Sequence, residues 1–222
     1  MEFIHKQYKS IRYLKVLPNE FDKNTKYPVL IFLHGAGSRG MDMSLVENNP
    51  FFEIMKKRSD NPCIIIAPQC HADTWFDIFQ ELKELICAES NEIYADTNRI
   101  YAIGASMGGY GVWQAAMSMP EVFAAIVPIC GGGMYWNAPR LKNIAVWAFH
   151  GSDDPVVLCR ESEKMVEAVK NCGGDARLTV YENCEHDSWN GAYSEPELFK
   201  WLLSHTKKVY EQGEVLSGRQ FG

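Results

Sequence analysis

Val29-Leu30-Ile31-Phe32-Leu33 is a run of five apolar residues that ends directly in His34-Gly35-Ala36-Gly37. A strand that is apolar at every position has no face left for water, so it must be covered on both sides. The pattern recurs in Cys63 to Ala67, Ile100 to Ile103, Ala124 to Ile129 and Ile144 to Phe149, and more weakly in Leu178 to Tyr181. Ile11 to Leu17 alternates instead and reads as an earlier strand. Between the runs lie segments with helical spacing: Ile54 to Lys57, Phe76 to Ala88, Gly108 to Met117, Ser162 to Lys170 and Glu197 to His205. Strands that alternate with helices predict a mostly parallel central sheet flanked by helices on both faces. In such sheets ligands bind beyond the carboxyl ends of the strands.

Several function classes are excluded early. With 22 Lys and Arg against 28 Asp and Glu, the net charge is −6, which is not the basic footprint of a nucleic-acid binder. No apolar stretch approaches the ~20 residues of a membrane span. The seven cysteines follow no disulfide or zinc spacing and several lie in apolar runs, as Cys63 does before Ile64 to Ile66. They read as reduced, and the N-terminus lacks the layout of a signal peptide; both lead to an expected cytoplasmic location. With no repeat or linker, the 222 residues read as a single domain. Its core spans about 11–205, and 209–222 reads as a loose C-terminal tail.

Gly104-Ala105-Ser106-Met107-Gly108 fits G-x-S-x-G between the strand ending at Ile103 and a helix beginning near Gly108. A sharp strand-to-helix turn holds its central residue in a strained conformation with the hydroxyl exposed, and the helix N-terminus behind it favours negative charge. Ser106 is therefore the candidate nucleophile. A serine hydroxyl needs a neighbouring base. Of the histidines that follow Ser106, His150 directly ends a strand and reads as structural, and His205 suits a helix C-terminus. His186 lies in a polar loop after the last strand, where an imidazole can reach the turn. Asp153 and Asp154, after the strand Ile144 to Phe149, are both candidates for the acid that orients it. The backbone N–H of Met107, and that of Ala36 in the loop after the earlier strand, are candidate oxyanion donors.

These residues together resemble the α/β-hydrolase superfamily, over about Tyr27 to Leu203. Leu33 to Gly37, Trp75-Phe76-Asp77 and His150 to Val157 are similar to the small phospholipase/carboxylesterase group, which includes acyl-protein thioesterases. Asp96 to Gly111, His186 to Trp189 and Leu198 to Leu203 look more like the putative-esterase and predicted-peptidase group. The resemblance implies an α/β-hydrolase fold with Ser106 as nucleophile, Asp154 as acid and His186 as base. It selects Asp154 over Asp153 because the family's acid precedes the proline, here Pro155. It also implies Ala36 and Met107 as oxyanion donors. The family often has Gly where this chain has Ala105.

The expected function is hydrolysis of a small-molecule carboxylic ester through an acyl-enzyme, with no cofactor and no metal. A serine peptidase or acyl thioesterase would use the same three residues, and a non-catalytic binding module is the remaining alternative. No long insertion follows Val127 to Ile129, so no large lid domain is expected. Trp75, Tyr135, Trp136 and Trp189 are candidate pocket residues, Trp189 also as a prop for the His186 loop.

Overall fold

The computed structural model describes residues 2–58 and 61–208; the proposed tail, 209–222, lies outside the described residues. One eight-stranded sheet organises the chain. Its strands are β1 (Ile4–Tyr8), β2 (Ile11–Val16), β3 (Tyr27–Leu33), β4 (Ile64–Pro68), β5 (Ala95–Ala105), β6 (Ala125–Ile129), β7 (Ala145–Gly151) and β8 (Ala176–Tyr181). Their spatial order is β1-β2-β4-β3-β5-β6-β7-β8. The two pairings that involve β2 are antiparallel and all the others are parallel.

Among the described residues, seven α-helices cover the sheet: α1 (Ser44–Glu47), α2 (Pro50–Lys57), α3 (Phe79–Ser90), α4 (Met107–Ser118), α5 (Arg160–Asn171), α6 (Trp189–Ser194) and α7 (Leu198–Leu203). The period-2 geometry of β3 explains the two layers. Val29, Ile31 and Leu33 face a core built with Leu82 and Leu85 of α3, Val112 and Trp113 of α4, and Met165 and Val169 of α5. Leu30 and Phe32 face the opposite core, built with Phe51 and Phe52 of α2, Tyr193 of α6, and Leu198 and Leu202 of α7. These five β3 side chains, Val29 to Leu33, are fully buried, each contributing about 1.5–3 kcal/mol relative to exposure. The expected mostly parallel, two-faced sheet is present. Between β6 and β7 runs only a loop with one 3-10 turn, Tyr135–Leu141, and no large lid is inserted among the described residues.

Three local differences from the sequence expectation have clear causes. Strand β1 carries polar residues at its three central positions, all exposed, because it is an edge strand paired only to β2. Helix α3 starts at Phe79 rather than Phe76, because the Asp77 carboxylate accepts from both Thr74 N–H and Thr74 Oγ1 and closes a turn. Helix α2 starts earlier than expected, at Pro50, with Asn49 accepting from Phe51 N–H as its N-cap.

Where β2 meets α3, Lys15 (2% exposed) and Glu89 (5% exposed) form a buried ion pair at 2.5 Å. Tyr13 donates to Glu89 at 2.6 Å, and Lys15 donates to the Tyr94 hydroxyl at 2.6 Å. Removing one partner leaves a desolvated charge. We predict that Glu89→Ala lowers the free energy of urea unfolding by about 3–5 kcal/mol, and that adding Lys15→Met to it restores most of that loss.

Candidate active site

Strand β5 ends at Ala105, Ser106 turns the chain, and α4 begins at Met107. Ser106 adopts φ 55° and ψ −120°, a left-handed backbone conformation that side-chain-bearing residues rarely take. Its N–H donates to Ile129 O of β6 at 2.9 Å, which ties the turn to the sheet. The spacing of the flanking glycines has a steric cause. A Cβ on Gly108 would lie 1.9 Å from Leu33 O, and one on Gly104 would lie 2.6 Å from the same carbonyl. The first turn of α4 thus packs backbone against backbone on the end of β3.

The loop after β8 brings His186 across to this turn. It is cross-tied to the end of β7: Asp153 N–H donates to Cys184 O at 3.0 Å, and Asn183 N–H to Ser152 Oγ at 2.9 Å. His186 Nε2 lies 2.8 Å from Ser106 Oγ, and its Nδ1 lies 2.7 Å from Asp154 Oδ2. An ionised carboxylate only accepts, so Nδ1 carries the proton and Nε2 faces the serine hydroxyl as an acceptor. Trp189 packs edge-on against the imidazole, with ring centroids 5.3 Å apart.

The structure separates the two candidate acids. Asp154 is 3% exposed, and its Oδ1 also accepts from Val156 N–H and Val157 N–H at 2.9 Å each. Burial alone would raise its pKa. The hydrogen bonds from His186 and from the two backbone N–H groups outweigh burial and hold it below the usual carboxylate value. Asp153 instead accepts from Ser152 Oγ on the surface. Cys130, with φ 39°, places its thiol within 4.8 Å of donor atoms of Asp154 and His186. Burial pushes that thiol up to about 12.

Met107 is the first residue of α4 and Ala36 opens the 3-10 turn Ala36–Ser38, so neither N–H has an acceptor within its own element. The loop that carries Ala36 lies against the serine: a Cβ on Gly35 would be 3.6 Å from Ser106 Cβ. Above Ser106 and His186 opens a cavity of about 530 Å³, within the range of small-molecule sites. Ala36, Leu45, Asn48, Pro50, Val156 and Tyr193 contribute to its wall, together with Trp189.

The other pocket expectations are not met. Trp75 is fully buried in the core, where its Nε1 donates to His34 O at 3.0 Å. Its bulk fills space beside α4 and does not reach the cavity. Tyr135 and Trp136 stack edge-on on the exposed 3-10 turn after β6 and are absent from the cavity wall. Leu45, Asn48 and Pro50 were not anticipated, because α1 and the start of α2 carry no motif. Of the other histidines, His205 caps α7 with Nδ1 2.7 Å from Trp201 O. His34 underlies the Ala36 loop: its Nδ1 donates to Gly35 O at 2.7 Å and its Nε2 accepts from Cys70 N–H at 3.0 Å.

The chain matches the phospholipase/carboxylesterase family over residues 67–195, more than half its length. It is 29% identical to dipeptidyl-peptidase 5 of Porphyromonas gingivalis, over 87% of this chain and 36% of that protein. It is 24% identical to feruloyl esterase D of Neurospora crassa, over 67% of this chain and 55% of that protein. The chain thus spans about a third to about half the length of these two curated relatives. A crystal structure of a thermostable esterase superposes with a TM-score of 0.81 at 34% identity, covering 92% of this chain and 63% of that one.

His34 yields a pH prediction. Burial lowers its pKa from 6.5 to about 4. Between those values the unfolded chain takes up a proton that the folded chain refuses, so stability falls as pH drops through this window, by up to about 3 kcal/mol. Urea titrations at pH 7 and pH 4.5 are expected to show this loss in the wild type and a smaller one in His34→Gln.

Proposed function

Since the chain belongs to the phospholipase/carboxylesterase family of α/β-hydrolases, we propose that it is a serine hydrolase that cleaves small carboxylic esters through an acyl-enzyme. The observation that carries this reading is the continuous hydrogen-bonded series Ser106 Oγ, His186, Asp154, with contacts of 2.8 and 2.7 Å, opening into the 530 Å³ cavity. Ser106 Oγ attacks the ester carbonyl carbon while His186 Nε2 takes the hydroxyl proton. Asp154 holds the proton on Nδ1 and stabilises the imidazolium that forms. The N–H groups of Met107 and Ala36 receive the oxyanion of the tetrahedral intermediate. Collapse expels the alcohol, protonated by His186. Water then enters along the same path, giving up its proton to His186, and releases the acid.

The cavity wall is mainly apolar, with Leu45, Pro50, Val156 and Trp189. Such a wall suits a short or medium acyl group, or an aromatic one. A second reading, a peptidase using the same residues, is favoured by the similarity to a dipeptidyl-peptidase over most of the chain. Esters rank first because the more identical solved relative is an esterase. We further read the chain as one hydrolase domain, with its core over about 11–205. The seven cysteines are free thiols, which supports a reducing, cytoplasmic setting. No described helix is long and apolar enough to cross a membrane.

Turnover of p-nitrophenyl esters from acetyl to octanoyl tests the proposal. Ser106→Ala is expected to lower kcat by about 10⁶ and to abolish labelling by a fluorophosphonate probe, and Asp154→Asn to lower kcat by about 10⁴. Unchanged turnover in Ser106→Ala sinks the proposal. Fast cleavage of dipeptidyl p-nitroanilides with slow esters selects the peptidase reading.

A further inference from the structure

Asp154 touches a second imidazole. His150, next to last in β7, is fully buried. Its Nε2 lies 3.3 Å from Asp154 Oδ2, the same oxygen that accepts from His186. Nε2 also lies 2.8 Å from Val157 O. A carbonyl only accepts, so Nε2 carries a proton. That proton is donated to Val157 O, in the turn Asp154 to Val157, and the ring edge lies against Asp154 Oδ2.

The ring is clamped from the other side as well. Nδ1 lies 2.7 Å from Ser162 Oγ, and Ser162 Oγ donates to Gly131 O at 3.0 Å. Ser162 is fully buried in the first turn of α5, and Gly131 lies two residues past β6. His150 therefore links β7, α5 and the loop after β6 to the one carboxylate that faces His186. Of the two carboxylate oxygens, Oδ1 is fixed by two backbone N–H groups.

We propose that His150 is a positioning residue for the reaction: its Nε2–H holds Val157 O, and with it the turn whose N–H groups fix the Asp154 carboxylate opposite His186 Nδ1. The inference rests on the reading of Asp154 as the acid. Without the bond to Val157 O, the turn from Asp154 to Val157 loses a tie to β7, and the carboxylate it aims shifts with it. The imidazole it orients would follow, and Nε2 would lose its line to Ser106 Oγ. Misplacement on the order of 1 Å costs about 10²-fold in rate. Substrate binding in the cavity does not involve this contact, since His150 is not part of the cavity wall.

The test is a double-mutant cycle. His150→Leu removes both ring nitrogens at similar bulk, and His150→Gln keeps a donor. Each is made in the wild type and in Asp154→Asn, and both turnover of p-nitrophenyl acetate and thermal melting are recorded. His150→Leu is expected to lower kcat about 10- to 100-fold with KM within about twofold, and His150→Gln to recover part of it. In the Asp154→Asn background the same change is expected to cost nothing further, because the group it acts through is already disabled. Equal losses in both backgrounds, or no loss in the wild type, overturn the proposal and leave His150 a packing residue. If His150→Leu does not fold, Ser162→Ala takes its place. It frees the Nδ1 side of the ring and is expected to give a smaller, equally background-dependent loss of kcat, and no loss overturns the proposal. Full activity in Asp154→Asn alone overturns the reading of Asp154, and this inference with it, without any His150 variant.

Discussion

The contact between the backbone at Gly104 and Gly108 and the carbonyl of Leu33 is the constraint on which the site depends. It brings the first turn of α4 so close to β3 that a single methyl at Gly108 would sit 1.9 Å from Leu33 O. This contact leaves the chain no ordinary path from β5 into α4. Ser106 takes up the mismatch with φ 55°. Residues held in such conformations cost on the order of 1–3 kcal/mol each and persist only where their surroundings over-determine them. Here the surroundings are the parallel pairings of β5 with β3 and β6, and the bond from Ser106 N–H to Ile129 O. The buried sheet supplies the rigidity, and the turn projects the hydroxyl above the sheet's carboxyl edge.

The remaining groups reach that hydroxyl from the ends of neighbouring strands. Ala36 follows β3, Asp154 follows β7 and His186 follows β8. Parallel pairing is what places these ends along one edge, because each strand must return to the same end of the sheet before the next begins. The loops are then tied to one another as well as to the sheet. Asp153 N–H reaches Cys184 O, and Asp154 Oδ1 takes the N–H groups of Val156 and Val157. Asp154 thus serves two tasks with its two oxygens: one closes its own turn and the other meets the imidazoles. That division explains why Asp154, and not its neighbour Asp153, is the residue against His186.

Much of this was legible in the sequence, and for definite reasons. Runs such as Val29 to Leu33 are apolar at every position because both faces are covered. The glycines flanking Ser106 are there because side chains do not fit. Asp153 and Asp154 remained equivalent on chemistry alone, since both follow the same strand, and the resemblance selected between them. Trp75 shows the limit of reasoning from residue type. An indole near a candidate site suits a pocket wall and a core equally well, and only the position of His34 O, which takes its Nε1 proton, decides for the core. Tyr135 and Trp136 misled for the same reason. The histidine read as merely structural, His150, is buried as expected, but its place in the turn beside Asp154 has no signature in the spacing of residues.

The cavity wall was the least legible part, and the reason bears on function. Leu45, Asn48 and Pro50 come from α1 and the start of α2, and Tyr193 from α6. These are short helices whose positions follow from packing against the second core, through Phe51, Phe52 and Tyr193, rather than from any motif. The chemistry requires fixed residue types at fixed strand ends, so it leaves marks in the sequence. The wall requires only shape and polarity, which many sequences satisfy. A hydrophobic wall distinguishes substrates that differ by one methylene by only about 1–3 kcal/mol. The shape of the cavity therefore rests on how α1, α2 and α6 lean over Ser106, while the proposed bond-breaking machinery rests on the sheet. The two can change independently: a substitution at Leu45 or Tyr193 reshapes the cavity wall without moving the contact between Gly108 and Leu33 that holds the serine in place.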